Sequence, residues 1–190
     1  MPPAREEIAQ DRGHRQRAAV VLGPRVVEPV QDHGSRVRKD GRQLADGDAE
    51  AARTVLARPA DHGPLAALHD HFLAGLARRD PVTGLDDRPE TLAFVAMVLA
   101  APSLQSRLLL YQARAEQTLA EALARSHPEA AEGIARLAAA QIVAVLRVLA
   151  EDNRRCLAAG ATAAERHPGA AEAAGRAFAL LRDGLTGHYG

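Results

Sequence analysis

Histidine is the residue type in this chain best suited to metal binding, and His62, His69 and His71 lie close together in the sequence. A metal site needs its ligands to converge on one ion. His69 and His71 are two positions apart on a predicted helix, so their side chains point about 200° away from each other. The spacing favours two surface histidines that flank Asp70. The sequence therefore predicts no metal site, and it predicts no other cofactor.

A nucleophile is the next possibility, and Cys156 is the only cysteine. Arg154 and Arg155 precede it, and neighbouring positive charge can activate a thiol. Catalysis would also need a general base or a resolving cysteine, and the sequence places neither beside it. Cys156 is therefore interpreted as a structural or incidental thiol. A single cysteine also excludes a disulfide within the chain, as expected for a protein of the reducing cytoplasm.

Paired acids occur at Asp86–Asp87 and Glu151–Asp152. Adjacent residues do not converge on a substrate along a helix, so both pairs are predicted to be solvated charge. The chain has no glycine-rich phosphate loop, no CxxC pair, no HExxH and no GxSxG motif. These observations predict a protein that is not an enzyme.

Gln141 lies in the most apolar stretch of the chain, LAAAQIVAVLRVLA at 137–150. A buried amide needs a hydrogen-bond partner. Three partners remain open: a ligand, the same residue of a second copy, or a backbone carbonyl. The stretch is short for a membrane span and contains Arg147, so we expect a core helix.

Composition predicts the fold class. Of the 190 residues, 47% are hydrophobic and 3% aromatic, and the hydrophobic residues are mostly Ala, Leu and Val. Ala and Leu favour helices, so the sequence predicts an all-α protein. The 24 basic and 24 acidic residues balance, so no overall charge drives binding to nucleic acid or to a membrane. The first residues contain no apolar signal segment, which predicts a cytoplasmic location.

The chain divides near residue 45. Pro24, Pro29, Gly34 and Gly41 interrupt any helical period in residues 1–45, which we interpret as an atypical N-terminal segment. From residue 46 onward the apolar spacing predicts a bundle of about six helices with short connections. The predicted helices are one capped by Asp46 or Asp48 and ended by Pro59, then 64–79, 88–100, one that begins at the N-cap Ser103, 129–157 and 169–186. The helix at 129–157 is apolar nearly all round, which predicts burial on more than one side.

Four segments in residues 46–190 together resemble the C-terminal regulatory domain of the TetR/AcrR family of transcriptional regulators. They are LARPADHGPLAALHDHFLAGLAR, AMVLAAPSLQSRLLLYQARAEQTLAEALA, IARLAAAQIVAVLRVLAEDN and AEAAGRAFALLRDGL. The resemblance implies a ligand-binding and dimerisation domain at 46–190, with residues 1–45 in the place of the helix-turn-helix domain. It implies a cytoplasmic homodimer that senses a small apolar effector and controls the binding of operator DNA.

The resemblance also suggests which residues carry these roles. The candidate ligand contacts are Phe72, Phe94, Met97, Leu108, Tyr111 and Gln141. Tyr111 is the most informative of them, because its hydroxyl needs a partner when buried. The candidate dimer contacts are Ile142, Val145, Leu149, Phe178, Leu181 and Leu185. The alternative interpretation of both sets is that they only fill the core of a single chain.

Residues 1–45 lack the family's N-terminal pattern of an amphipathic helix with an aromatic residue, a Thr-rich turn and a recognition helix. Their basic stretch GSRVRKDGR matches that helix poorly, so no DNA-binding residue can be assigned. The alternative function is therefore a truncated or degenerate relative that acts as a dimerisation and ligand-binding module without specific DNA binding.

Overall fold

The computed structural model describes residues 49–128 and 132–184, and the regular structure within them is helical. The predicted all-α bundle is confirmed. Three predictions concern residues outside the described ranges. They are those for residues 1–45, for the helix cap at Asp46 or Asp48, and for the dimer contact at Leu185. The elements are α1 (described over 49–57), α2 (Pro64–Arg78), a 3-10 turn (Pro81–Thr83), α3 (Pro89–Ala100), α4 (Pro102–Ser126), α5 (Glu132–Ala158) and α6 (Ala163–Asp183).

Proline begins three of these helices. Pro64, Pro89 and Pro102 each occupy the first turn, where a helix needs no N–H donor and the fixed φ of proline is suitable. The predicted N-cap at Ser103 is wrong, because Pro102 already lies inside α4. Ala101 is the N-cap, and its carbonyl accepts hydrogen bonds from the backbone N–H groups of Leu104 and Gln105, three and four residues further along the chain.

The start of α6 also differs from the prediction, which placed a loop up to Pro168. The helix begins at Ala163 because Thr162 and Glu165 form a capping box. The Thr162 hydroxyl accepts from the Glu165 N–H at 3.2 Å, and the Thr162 N–H donates to the Glu165 carboxylate at 2.9 Å. Pro168 lies inside the helix. It removes one backbone donor, and the helix continues through it.

The core consists of two clusters, and α5 contributes to both. The first joins α1, α2, α4, α5 and α6 through Ala52, Val55, Leu68, Leu119, Ala120, Ala122, Ala139, Ile142 and Phe178. The second joins α2, the following loop, α5 and α6 through Phe72, Leu76, Leu85, Leu149, Leu157, Ala163, Ala170 and Ala174. Leu146 packs against both clusters, so α5 is the central helix of the bundle.

The loop after α2 is fixed to α5 and α6 by close packing and buried hydrogen bonds. Gly84 has φ 73° and lies against the carbonyl of Ala150, with no room for a Cβ. The Asn153 amide donates to the Thr83 carbonyl at 2.9 Å and accepts from the Arg166 side chain at 3.1 Å. We call these contacts, together with those of Asp87 below, the loop clamp.

Asp86 and Asp87 have separate structural roles, so the prediction of solvated charge is wrong for Asp86. The Asp86 carboxylate is 2% exposed and accepts hydrogen bonds from the side chains of Arg88 and Thr91. Asp87 accepts from the backbone N–H of Ala163 at 2.8 Å and from Arg79 at 3.1 Å. A carboxylate at the first N–H groups of α6 is favoured by the helix dipole, so Asp87 joins the loop to the start of that helix.

The pH dependence of the free energy of unfolding should reveal how much the ionised carboxylate of Asp86 stabilises the fold. Burial raises its pKa, but hydrogen bonds from the Arg88 side chain, Thr91 and the Arg88 N–H, with the Arg88 charge, outweigh burial and lower the pKa overall. A lowered folded-state pKa stabilises the fold above the unfolded pKa of about 3.9, and this contribution is lost as the pH falls through the folded-state value. Asp86→Asn should therefore be less stable than wild type at pH 7, with a difference that shrinks below about pH 4.

Urea unfolding followed by circular dichroism at pH 7, 5, 4 and 3 measures this difference. Asp61→Asn, at an exposed acid, is the matched control and should follow the wild-type curve. A difference between Asp86→Asn and wild type that stays constant from pH 7 to pH 3 would show that the charge of Asp86 does not stabilise the fold.

Candidate functional site

An apolar cleft lies at the end of the bundle where α2 and α5 begin and α4 and α6 end. Its volume is about 340 Å³, within the range of small-molecule sites. The first turn of α2, the end of α4, one edge of α5 and the last turn of α6 form its walls. The lining residues are Pro64, Leu65, Leu123, His127, Ile134, Ala135, Ala138, Gln141, Ile142 and Leu181.

Two of the lining side chains are polar. Gln141 offers an amide that can both donate and accept, and His127 offers a ring nitrogen. The rest of the lining is apolar, and Ile142 at its inner wall is buried. Such a surface suits an apolar molecule with one or two hydrogen-bonding groups, because the apolar walls contribute affinity and the polar groups fix orientation.

Of the six predicted ligand contacts, Gln141 lines this cleft. Phe72 is 6% exposed and belongs to the second core cluster. Phe94 is half-buried and Met97 exposed on α3, while Leu108 and Tyr111 are half-buried on the first half of α4. The sequence did not predict the other lining residues as ligand contacts, because only the tertiary fold brings the start of α2, the end of α4, one edge of α5 and the end of α6 together.

The predicted dimer contacts that the structure describes are buried or partly buried in the core of one chain. Ile142, Leu149 and Phe178 are buried in the core clusters. Val145 and Leu181 are partly buried against the same clusters. These positions agree with the core-filling alternative.

The exposed face of α5 carries a second apolar row that we call the α5 stripe. It consists of Ile134, Leu137, Gln141, Ala144 and Val148, all of them exposed. Their spacing of 3, 4, 3 and 4 places them on one side of the helix, opposite the buried side. The prediction that this helix is buried on more than one side is thus not met within one chain, where a single side of α5 faces the core.

The three histidines do not form a metal site, and the described residues contain no group of three or more potential metal ligands. His62 pairs with Asp70 at 3.0 Å and His71 with Glu50 at 3.2 Å. The His69 ring packs on Phe178 with ring centroids 4.9 Å apart, and its Nε2 is buried without a hydrogen-bond partner. The predicted surface position is therefore wrong for His69.

By length and composition, α5 could cross a membrane, because an 18-residue window within Gly133–Ala158 has a mean hydropathy of 1.7. A core helix of a water-soluble bundle meets the same criterion, and here one side of α5 packs in both core clusters. The hydropathy of α5 is therefore weak support for a span.

Comparison with known proteins gave no match to a protein-family model, a curated protein or a solved structure.

Proposed function

We propose that this chain is a homodimeric transcriptional regulator, similar to the TetR/AcrR family, that senses a small apolar effector and controls its binding to operator DNA. The observation that carries the proposal is the apolar cleft of about 340 Å³ at the end of the helical bundle. The resemblance of residues 46–190 to a regulatory domain supports the same function. The exposed α5 stripe supports assembly with a second copy of the chain.

The shape of the cleft supports an effector that is mostly apolar. Leu65, Ile142 and Leu181 would gain favourable burial against its hydrocarbon parts. The amide of Gln141 would bind a hydrogen-bonding group and so distinguish effectors that carry one from pure hydrocarbons.

Contacts beside the cleft suggest how occupancy would reach the N-terminal segment. Arg58, which follows α1, donates to the hydroxyl of Ser126 at 3.1 Å and to the carbonyl of His62 at 2.9 Å. Ser126 ends α4 next to His127, a cleft residue. An effector that binds one arrangement of these helix ends more tightly would shift the population of arrangements, and α1 would follow through Arg58.

A cleft-filling variant tests the effector site. We expect Ala138→Phe to weaken the binding of N-phenyl-1-naphthylamine at least about tenfold, because the new ring occupies the space between the walls. Fluorescence titration of the full chain with this apolar probe measures the affinity. Ala158→Phe is the control, because Ala158 is exposed at the far end of the same helix and should bind as wild type. Equal affinity in both variants would show that the cleft is not the site.

Operator control is tested by selecting bound sequences from a random DNA pool with the full chain. A regulator enriches a palindromic sequence, and binding to it changes when the effector site is filled. Weak binding without sequence preference that disappears with added salt would instead indicate the module without specific DNA binding.

A further inference from the structure

We propose that a second copy of this chain packs on the α5 stripe and closes the open side of the cleft, so that effector binding and dimerisation are coupled. This inference rests on the homodimer and the effector cleft proposed above. It assigns the contact to Ile134, Leu137, Gln141, Ala144 and Val148, on the side of α5 opposite the buried Ala139 and Leu157.

The stripe has the form of a helix–helix contact. Its spacing of 3, 4, 3 and 4 is the heptad spacing of packed helices, and it extends for about 21 Å along α5. No charged residue lies in the row from Ile134 to Val148. Beyond Val148 the same side carries Asp152 and Arg155, which pair at 3.0 Å and mark the polar end of the contact.

Gln141 indicates that the partner is an identical helix. It stands at the midpoint of the stripe, with two apolar residues on either side. A two-fold axis beside the midpoint brings Gln141 against Gln141 of the second copy, where each amide can donate to the other's oxygen. A lipid surface would leave this amide without a hydrogen-bond partner in hydrocarbon, which is unfavourable.

The same axis sets the direction of the helices. When it is perpendicular to α5 at Gln141, the two copies of α5 run antiparallel and Ile134 lies near the second copy's Val148. This direction opposes the helix dipoles favourably and keeps the two Arg155 side chains apart. A parallel pair would place both Arg155 side chains at the same end.

The stripe and the cleft share residues. Ile134 and Gln141 belong to both, while Ala135, Ala138 and Ile142 form the inner wall of the cleft. A helix seated on the stripe therefore lies beside the open side of the cleft and supplies an outer wall. Each effector would then contact both copies, and by linkage the effector tightens the dimer as much as the dimer tightens effector binding.

Leu137→Arg tests the coupling, because Leu137 belongs to the stripe but does not line the cleft. We expect this variant to be a monomer at micromolar concentration in sedimentation velocity, since it places an unpaired charge within the α5 stripe, beside the central Gln141. We also expect its affinity for N-phenyl-1-naphthylamine to fall at least about tenfold, because the outer wall is lost. Leu110→Arg is the matched control, because both leucines are 61% exposed and Leu110 lies on α4. It should remain a dimer with wild-type affinity.

Each contrary outcome has its own meaning. If Leu137→Arg remains a dimer while wild type dimerises and binds the probe, the second copy uses another face, and the inference fails while the proposed function stands. If the variant is a monomer with full affinity, the coupling fails. A monomeric wild type would contradict the proposed homodimer itself, and a wild type that does not bind the probe would contradict the proposed effector site.

Cysteine cross-linking in a Cys156→Ala background tests the axis. We expect Gln141→Cys to form a disulfide-linked dimer, because a disulfide needs Cα atoms within about 7 Å. Ile134→Cys alone should not, whereas the double variant Ile134→Cys with Val148→Cys should. Efficient cross-linking by Ile134→Cys alone would indicate a parallel pair and overturn the assigned axis.

Discussion

Gly84→Ala is expected to lower the free energy of unfolding by about 3 kcal/mol, the sum of backbone strain and a steric clash. Gly84 has φ 73°, a left-handed conformation that disfavours any Cβ. A Cβ here would also lie 2.8 Å from the carbonyl carbon of Ala150 and closer still to its oxygen. Because the obstacle is helix backbone, no side-chain movement can relieve it. Urea unfolding followed by circular dichroism measures the loss.

Gly160→Ala is the matched control for the clash. Gly160 also has positive φ, at 100°, but a Cβ there has nothing within 4 Å. It should cost about 1 kcal/mol, from backbone conformation alone. Equal losses in the two variants would show that the approach of Gly84 to α5 does not contribute to stability.

Phe72→Ala is expected to lower the free energy of unfolding by about 4 kcal/mol, as for other large aromatic side chains removed from a core. Phe72 is 6% exposed and packs in the cluster that joins α2 to α5 and α6. Phe94→Ala is the control, since Phe94 is half-buried on α3, a helix with no fully buried residue among its described positions. Its expected loss is below about 1.5 kcal/mol.

The same two variants separate a core role from a ligand role. A core role for Phe72 predicts a large stability loss with probe affinity unchanged at temperatures where the variant is folded. A small stability loss together with greatly weakened probe binding would return Phe72 to the ligand contacts suggested by the sequence.

The helices were predictable because their signals are local. Most of the helices can be predicted from two features: the excess of Ala and Leu, and the prolines in the first turns, which are Pro64, Pro89 and Pro102. The predicted start of α6 at residue 169 is wrong because Pro168 suggests the end of a loop, whereas the capping box of Thr162 and Glu165 begins the helix at Ala163, six residues earlier. The T-x-x-E spacing was visible in the sequence.

The inner side of α5 could not be predicted from its residues. Ile142 and Leu149 on one side are no more apolar than Ile134, Leu137 and Val148 on the other. The choice depends on which side meets α2, α4 and α6, and that is a property of the whole bundle. The cleft could not be predicted either, because its walls come from four helices whose packing is a property of the whole bundle. The sequence did identify Gln141 as a polar residue that needs a partner.

The loop clamp also has a consequence for the order in which the chain folds. The bond from Asn153 to Thr83 closes a separation of 70 residues, and the bond from Ala163 to Asp87 closes one of 76. Contacts so distant in sequence carry a large loop-closure entropy, so they form after the local turns of α2, α4 and α5. The first turn of α6 would then acquire its amide-exchange protection late, and a polypeptide still emerging from the ribosome would hold the 80–88 loop only through its α5 contacts until α6 has been made.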